Sequence, residues 1–412
     1  MEQTTLDPAF EAALTGLGDG PLDEARLRRH IFPLFSRVLE RDEIYLANHS
    51  LGRPADRMAE DVQHALDAWY RDMDGAWELW MEEIGRFRAQ VARLLGLSRA
   101  DAVVPKTNAG QGLRAVLNAI PKDRLRVVTT RGEFDSVDFI LKAYAQRGRA
   151  EVVWAEPDEA GMFHAEQLLD LCARRTDLLV VSQVYYATGQ HLTGLRELIR
   201  SAQERGVLVM VDVYHAAGVL PVEMETLGAD FTIGGCYKYL RGGPGACWLA
   251  IHPRHLEDGT GEGGGRFGVL DTGWFAKRDV FSFARAETPE YAPGGDGWLE
   301  STPPILTAFQ AKAGLELTLG LGVERLRAYN LHQQEILAES LRSNGVEPVL
   351  LDERGAFLLV RSADAPGMCE RLAARGVKAD ARMGFVRLCP DVLNTEAELA
   401  RAGEVVGEVL RH

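Results

Sequence analysis

Residues 209–250 read VMVDVYHAAGVLPVEMETLGADFTIGGCYKYLRGGPGACWLA, and this stretch contains two apolar runs of strand length. The first run ends in Asp212, and His215 follows three residues later. The second run leads to Lys238, which precedes a Gly-Gly-Pro-Gly segment. Glycine and proline at this density favour an irregular loop. The pattern predicts two buried strands whose ends carry a carboxylate on one side and an amine on the other.

Apolar runs alternate with helical patterns through the middle of the chain. Further strands are predicted at 126–130, 151–154 and 178–184, and a helix is predicted at 195–205. Continuous apolar strands separated by helices are typical of a mostly parallel sheet with helices on both faces. We therefore expect an α/β fold in which the polar turns at the carboxyl ends of the strands form one pocket.

The acid and the lysine of the opening stretch suit one cofactor. Pyridoxal phosphate needs a buried carboxylate that keeps its pyridine nitrogen protonated and a lysine that binds its aldehyde. A phosphate site is also available, because Asn108 and Ala109 open a helical run whose free amide groups suit an anion. The residues thus predict pyridoxal 5'-phosphate, with Asp212 and Lys238 on its two sides.

The composition indicates a globular protein whose main partner is neither a nucleic acid nor a membrane. The 412 residues carry a formal net charge of −14, whereas either of those partners requires a basic face. No apolar run reaches membrane-spanning length, and the N-terminus lacks the apolar core of a secretion signal. The five cysteines are scattered without metal-ligand spacing. We expect a cytoplasmic protein without a metal site.

The pattern changes after the predicted sheet. A long helical region leads to a segment, residues 346–412, that reads strand, helix, strand, strand, helix. We therefore predict a large cofactor-binding domain over residues 45–304. The predicted small domain consists of N-terminal helices at 1–44 and residues 305–412, which end in an α+β part.

Two features have more than one interpretation. Arg387 stands inside the last apolar strand, where a buried arginine needs an anionic partner. That partner is either a structural carboxylate or the carboxylate of a substrate. The segment 259–264 formally matches the GxGxxG motif, but it opens no convincing helix, so we interpret it as a surface loop rather than a dinucleotide site.

The motifs together resemble the aminotransferase class V group of fold type I pyridoxal phosphate enzymes, and within this group the kynureninase family. The resemblance extends from Tyr45 to the C-terminal helix. The segments that carry it are Asn48-His49-Ser50-Leu51-Gly52, Tyr185-Tyr186-Ala187-Thr188-Gly189-Gln190, Asp212-Val213-Tyr214-His215, Tyr237-Lys238-Tyr239-Leu240, Gly242-Gly243-Pro244-Gly245, Gly273-Trp274-Phe275 and Ser301-Thr302-Pro303-Pro304-Ile305. The resemblance implies a seven-stranded, mostly parallel sheet.

The resemblance also implies catalytic roles for four residues. Lys238 would hold the cofactor covalently, and Asp212 would pair with its pyridine nitrogen. His215 would lie near the ring oxygen, and Tyr237 would take part in proton transfers. Phe134 would lie against the cofactor ring.

The remaining implied contacts concern the phosphate and the substrate. The phosphate would be held by the turn at Asn108 and Ala109, by Ser136 and Tyr237, and by residues of a neighbouring subunit. Those residues are Trp274 and Thr302, so the resemblance implies a homodimer with shared active sites. Arg387 would bind the α-carboxylate of the substrate, with Ser50 and His49 nearby.

The implied reaction is cleavage of the Cβ–Cγ bond of L-kynurenine or 3-hydroxykynurenine to an anthranilate and L-alanine, a step of tryptophan catabolism. Several positions depart from the family pattern: His49 replaces an asparagine, Tyr214 replaces a small residue, Val137 stands where an acid is usual, and residues 388–395 are closer to other class V enzymes. The alternative is another class V enzyme, an aminotransferase, racemase or β-lyase, that acts on a different amino acid. A non-catalytic protein of the same fold is a further alternative, against which the retained Lys238 and Asp212 argue.

Overall fold

The computed structural model describes residues 7–173, 175–256, 267–282 and 285–411. The glycine-rich segment 259–264, predicted as a surface loop, lies outside these ranges. Within them, no helix combines the length and the apolar character that crossing a membrane requires.

Helices and strands alternate along most of the described chain. The α-helices are α1 (Pro8–Leu17), α2 (Glu24–His30), α3 (Ser36–Leu39), α4 (Arg57–Asp72), α5 (Ala76–Leu94), α6 (Ala109–Ala119), α7 (Asp135–Gln146), α8 (Ala165–Leu171), α9 (Leu195–Glu204), α10 (Met224–Leu227), α11 (Ile305–Leu321), α12 (Val323–Ser343), α13 (Ala365–Ala373) and α14 (Glu396–Arg411). The β-strands are β1 (Ile44–Tyr45), β2 (Val103–Lys106), β3 (Leu125–Thr130), β4 (Ala150–Ala155), β5 (Leu178–Ser182), β6 (Leu208–Asp212), β7 (Phe231–Gly235), β8 (Cys247–Ile251), β9 (Leu358–Arg361), β10 (Val377–Lys378), β11 (Asp380–Arg382) and β12 (Phe385–Leu388).

The central sheet has seven strands in the order β2-β8-β7-β6-β5-β3-β4. Strand β8 runs antiparallel to both of its neighbours, and the other strand pairs are parallel. The predicted α/β fold with a mostly parallel sheet is confirmed. The sequence patterns do not predict β8 as a separate strand, because it follows the Gly-Gly-Pro-Gly segment, which we interpreted as the start of an irregular region.

The strands at the centre of this sheet are covered on both faces. Every residue of β5, β6, β7 and β8 is buried, as expected for strands that consist almost entirely of apolar residues between layers of helices. Polar side chains therefore appear where these strands end. The carboxyl ends of β6 and β7 lead to Asp212 and to the loop of Lys238, and β2 leads to Asn108 at the start of α6.

The C-terminal part forms a second, smaller sheet. Strands β11, β12 and β9 are antiparallel neighbours, and β1 pairs with β10. Their apolar side chains pack with those of α12, α13 and α14 in a core cluster of their own. The N-terminal helices pack against α11 and α12 in another cluster. The domain limits stay a prediction, and β1 lies across the limit predicted at residue 45.

Helix α11 packs closely against the loop that carries Lys238. A methyl group built on Gly314 of α11 would overlap the carbonyl oxygen of Leu240. At Gly85 of α5 a methyl group would meet nothing within 4 Å. Close approach of two backbones thus requires glycine at the first position only.

We expect Gly314→Ala to lower the free energy of unfolding by about 1–3 kcal/mol, because the added methyl group forces two backbones apart. Gly85→Ala, the control inside another helix, should raise it by ~0.5–1 kcal/mol through the higher helix propensity of alanine. The thermal unfolding midpoints of the two cofactor-loaded variants test this. Equal midpoints for both variants would contradict the packing described.

Candidate active site

Lys238 lies at the bottom of the candidate site, on the loop after β7. Its side chain is buried, and its Nζ atom lies 2.6 Å from Nε2 of His215. Burial lowers the pKa of Lys238 well below its ordinary value, and the nearby Asp212 carboxylate opposes this shift. Burial also lowers the pKa of His215, and the charge of Lys238 adds to this effect. Both groups are therefore available in their neutral, basic forms near neutral pH.

Asp212 occupies the end of β6, and its side chain is buried. Its Oδ1 atom accepts a hydrogen bond of 2.8 Å from the amide of Tyr214. That bond is the one side-chain hydrogen bond recorded for Asp212 among the described residues. The other carboxylate oxygen remains available for a donor such as a protonated pyridine nitrogen. Burial raises the pKa of Asp212, which a cationic partner would counteract.

A cavity of about 260 Å³ lies above these two residues. Two helices begin at its wall: α6, whose first residues include Ala109, and α7, whose first turn contains Ser136. The side chain of Asn108 caps α6 by accepting a hydrogen bond from the amide of Gln111. Helix N-termini attract anions through their free amide groups. This end of the cavity is suited to a phosphate.

Aromatic rings surround the amine of Lys238. The Nζ atom lies 4.8 Å from the centroid of Tyr214, 5.6 Å from that of Phe134 and 5.6 Å from that of Tyr237. Burial raises the pKa of Tyr237, so this phenol stays protonated near neutral pH. The hydroxyl of Tyr214 lies 3.4 Å from the Sγ atom of Cys247, deep in the cavity wall.

Glu133, which sequence reasoning missed, holds the loop that carries Phe134. Its carboxyl group accepts hydrogen bonds from the hydroxyls of Ser182, at 2.6 Å, and Thr130, at 2.8 Å. These bonds connect the loop to the ends of β3 and β5. Burial raises the pKa of Glu133 to about 7. No sequence motif indicated this residue, because Ser182, which ties it to β5, is 49 residues away in the chain.

Arg387 has a structural carboxylate as its partner. Its guanidinium group donates two hydrogen bonds to Asp380, one of them from Nε to Oδ1 at 2.8 Å, and a third to the carbonyl oxygen of Tyr186. The first of the two alternatives for Arg387 is therefore realised. A guanidinium group has five N–H bonds, so two remain for a ligand. The substrate role of Arg387 stays a prediction.

His49 supports the same ion pair. Its Nε2 atom lies 2.7 Å from Oδ1 of Asp380, and its ring is fully buried. Burial, helped by the charge of Arg387, lowers the pKa of His49 to about 4, so the ring is neutral and donates to the carboxylate. Burial opposes ionisation of Asp380, but the bonds from His49 and Arg387 hold its pKa well below the ordinary range. One sequence signal could have found Asp380: Gly384 makes a turn that places Asp380 opposite Arg387.

Five predicted site residues do not line the cavity in this chain: Arg387 and His49, described above, and Trp274, Thr302 and Ser50. Trp274 packs on Phe275 and Phe281, with ring centroids 4.4 Å and 5.8 Å away. Thr302 lies in the segment before α11, and Ser50 lies in the turn after β1. The expected roles of Trp274 and Thr302 in a neighbouring subunit, and of Ser50 beside the substrate, stay predictions. Asn108, Ala109, Phe134, Ser136, Asp212, His215, Tyr237 and Lys238 all line the cavity.

The residues present fit pyridoxal phosphate. Lys238 offers a buried amine of lowered pKa, Asp212 offers an unused carboxylate oxygen, and two helix N-termini offer a phosphate site. Among the described residues, no group of three or more histidine, cysteine, aspartate or glutamate side chains could hold a metal ion.

Comparison with known proteins agrees with this assignment. The sequence profile of the family described as Aminotransferase class-V matches residues 56–354. A Deinococcus radiodurans protein named Kynureninase is 29% identical over 95% of this chain and 92% of its own length. Proteins of the same name from Myxococcus xanthus and Bacillus anthracis are 28% and 26% identical, over 84% and 89% of this chain and 85% and 88% of their own lengths.

Solved structures share the fold. An apo cysteine desulfurase from Thermococcus onnurineus NA1 superposes with a TM-score of 0.76 at 18% identity, covering 91% of this chain and 96% of its own. A C-DES variant with glycine covalently linked to its PLP cofactor gives a TM-score of 0.80 at 18% identity, covering 92% and 99%. At this identity the likeness establishes the fold alone.

The predicted resemblance and the predicted cofactor are thereby confirmed. The profile match covers most of the chain, and eight of the residues predicted to bind the cofactor line one cavity at the carboxyl edge of the sheet. The chain belongs to the aminotransferase class-V family, whose enzymes depend on pyridoxal phosphate.

Proposed function

We propose that the protein is a kynureninase-type hydrolase, which cleaves the Cβ–Cγ bond of L-kynurenine or 3-hydroxykynurenine and releases an anthranilate and L-alanine. Similarity to proteins named Kynureninase over most of the chain supports this reaction. One observation carries the choice among the class-V chemistries. The amine of Lys238 lies among aromatic rings. The five cysteines all lie in the described ranges, and none of them has the lowered pKa that a nucleophilic thiol needs.

The state of the cysteines argues against a desulfurase. That reaction requires a thiolate, which forms where a positive environment lowers the pKa of a thiol. Burial instead raises the pKa of all five thiols, which are Cys172, Cys236, Cys247, Cys369 and Cys389. Cys389, near Arg387, is fully buried and donates to the carbonyl oxygen of Ala356.

Lys238 is the proposed general base. Bound pyridoxal phosphate supplies an electron sink that makes the Cα proton of an amino acid acidic. The Nζ atom of Lys238 takes this proton, because burial lowers the pKa of the amine to about 7 and the 2.6 Å contact with His215 holds it in place. Asp212 keeps the pyridine nitrogen protonated through its unused carboxylate oxygen. Phe134 provides a flat apolar wall for the ring.

Tyr237 is the proposed proton donor for the bond cleavage. Its phenol remains protonated because the ring is partly buried beside Lys238. A protonated phenol can donate its proton to the developing carbanion, and the water that adds to the γ-carbonyl carbon returns a proton to the phenolate. The aromatic wall formed by Phe134, Tyr186 and Tyr237 suits the aryl ketone of kynurenine.

Arg387 is the proposed anchor of the substrate α-carboxylate, and Ser50 and His49 are proposed to lie beside it. Asp380 occupies the Nε side of the guanidinium group, so the substrate would use the two remaining N–H groups. In this arrangement Asp380 and His49 fix the plane of the guanidinium group before the substrate arrives.

We also propose a homodimer in which Trp274 and Thr302 complete the phosphate site of the partner subunit. Trp274 packs on Phe281, whose side chain is 57% exposed. Trp69 and Met73 are exposed to 48% and 64%. Ring contacts through Trp80, Trp77 and Phe275 connect Trp69 with Trp274, and a contiguous apolar patch of this kind marks an association surface.

Tyr214 favours a second candidate, another class-V reaction on a different amino acid. Its ring lies 4.8 Å from Nζ of Lys238 and 5.0 Å from the ring of Tyr237. A side chain of this size reduces the space available to an aryl substrate. A β-lyase or aminotransferase with a smaller substrate would tolerate it.

The substrate assay separates the two candidates. We expect the cofactor-loaded protein to convert L-kynurenine or 3-hydroxykynurenine to the corresponding fluorescent anthranilate. Lys238→Ala, the control, should lack both the yellow absorbance of the bound cofactor and the product. A yellow protein that releases no anthranilate but turns over another amino acid would support the second candidate and contradict the first.

Substitution of the phenols tests the role of Tyr237. We expect Tyr237→Phe to retain the cofactor and to reduce kcat for anthranilate release by about 10²–10⁴, because general acid–base groups contribute on this scale. Tyr214→Phe, which removes a phenol from the same cavity, should change kcat by less than about tenfold. Equal effects of the two substitutions would show that Tyr237 has no special proton-transfer role.

The buried His49 should make stability depend on pH. Its folded pKa is about 4, below the ordinary value of 6.5, so the unfolded chain binds more protons between these values. Stability contributed by neutral His49 is therefore present above pH 6.5 and is lost as the pH falls toward 4. Between pH 6.5 and pH 4, we expect the free energy of unfolding of His49→Asn to fall by ~3 kcal/mol less than that of the wild type.

Denaturant unfolding of the cofactor-loaded protein at several pH values measures this difference. His332→Asn, which replaces an exposed histidine of α12, is the control and should lose as much stability as the wild type. The account of His49 is wrong if both variants lose stability in parallel with the wild type.

A further inference from the structure

One face of the small sheet points toward the large core. Side chains alternate between the two faces of a strand, and residues paired across antiparallel strands share a face. Leu359 of β9 and Phe385 of β12 pack with the core cluster of the large sheet. Val360 and Val386, the alternating neighbours, pack in the separate core of the small sheet. The face that carries Leu359 and Phe385 therefore lies toward the large core, and Arg387 on the same face donates to the carbonyl oxygen of Tyr186, which lines the cavity.

Charged residues form two rows on this face. The inner row pairs Asp380 of β11 with Arg387 of β12. The outer row pairs Arg382 of β11 with Phe385, which in turn is paired with Arg361 of β9. The two rows are two residues apart along each strand, so they follow each other on one surface.

The inner row carries no net positive charge. Asp380 binds the guanidinium group of Arg387 in a two-bond ion pair, and His49 beside them is neutral. Only 3% of Arg387 is exposed. An incoming anion would find N–H donors here, but little unbalanced charge.

Arg382, in the outer row, carries a positive charge that no carboxylate of the described residues balances. Its side chain is exposed, and its guanidinium group donates to the adjacent carbonyl oxygen of Ala381 at 2.7 Å. Within the described ranges it forms no ion pair. Its charge reaches the cavity: burial is the main reason for the lowered pKa of Lys238 and His215, and Arg382 adds to both shifts. Arg361, at the other end of the row, instead lies 4.8 Å from the ring centroid of Phe385.

We infer that Arg382 binds the carboxylate of the amino-acid substrate at the mouth of the cavity, together with the unused N–H groups of Arg387. This inference rests on the proposed function only in that the substrate is an α-amino acid. The protein has a net charge of −14, so an unpaired arginine beside the cavity creates a local attraction for an anion that the rest of the surface repels. A flexible, exposed cation captures the carboxylate, and the rigid pair behind it orients the carboxylate.

The test compares two ligands that differ in one charge. The cofactor-loaded protein is titrated with L-alanine and with L-alaninamide, and the change in cofactor absorbance gives each dissociation constant. We expect Arg382→Ala to weaken L-alanine binding by about tenfold or more, because a charge-assisted hydrogen bond is lost. Binding of L-alaninamide should change by less than about twofold, since it has no carboxylate. Arg382→Lys should keep part of the preference for L-alanine.

Arg361→Ala is the matched control, because it removes an exposed arginine from the same row. It should leave both dissociation constants unchanged. Added salt should weaken binding of L-alanine to the wild type more than to Arg382→Ala, because the lost interaction is ionic. An equal loss for both ligands in Arg382→Ala, or no loss for L-alanine, would overturn the inference.

The outcome can be separated from that of the proposed function. In one outcome the protein releases no anthranilate, and Arg382→Ala weakens binding of L-alanine but not of L-alaninamide. This result refutes the kynureninase proposal and supports the carboxylate site. A protein that cleaves kynurenine, but binds L-alanine equally well with and without Arg382, refutes the carboxylate site alone.

Discussion

Burial of one carboxylate and one amine at the same edge of the central sheet is the constraint around which this chain is arranged. Asp212 is the last residue of β6, and Lys238 lies on the loop after β7. These two strands are neighbours and are covered on both faces. Burial makes both charges unfavourable, and it shifts the pKa of the acid upward and that of the amine downward. Such a pair is stable when a ligand supplies the missing cationic nitrogen and the aldehyde, which is what pyridoxal phosphate offers.

A second buried pair of opposite charges lies behind Tyr186 of the cavity wall. Asp380 neutralises Arg387, and the buried His49 completes the ion pair with a hydrogen bond. Breaking a buried ion pair leaves an uncompensated charge, so the three side chains hold each other in one geometry. The rigid group connects the small sheet to Tyr186 of the cavity wall. The uncompensated charge of Arg382 lies one row farther out on the same sheet face.

The sequence predicted most of what local patterns determine. The alternation of apolar strands and helices was sufficient for the mostly parallel sheet and its pocket at the carboxyl edge, and Asp212 with Lys238 was sufficient for the cofactor. Contacts between distant segments were out of reach: His49 meets Asp380, and Arg387 meets Tyr186, only in the folded chain. The position of Tyr214 beside Lys238 was equally inaccessible, because a strand pattern does not determine where the side chain after its end points. The antiparallel strand β8 was also missed, because the glycine-rich loop before it predicts irregular structure.

The most direct measurement is reduction of the cofactor-loaded protein with borohydride, which fixes the cofactor on the amine that holds it, followed by peptide mass analysis. The account predicts the added mass on Lys238, the buried lysine at the end of β7. Lys106 at the end of β2 is also buried, but it is paired with Glu300. Cofactor found on Lys106 or on any lysine other than Lys238 would contradict the account.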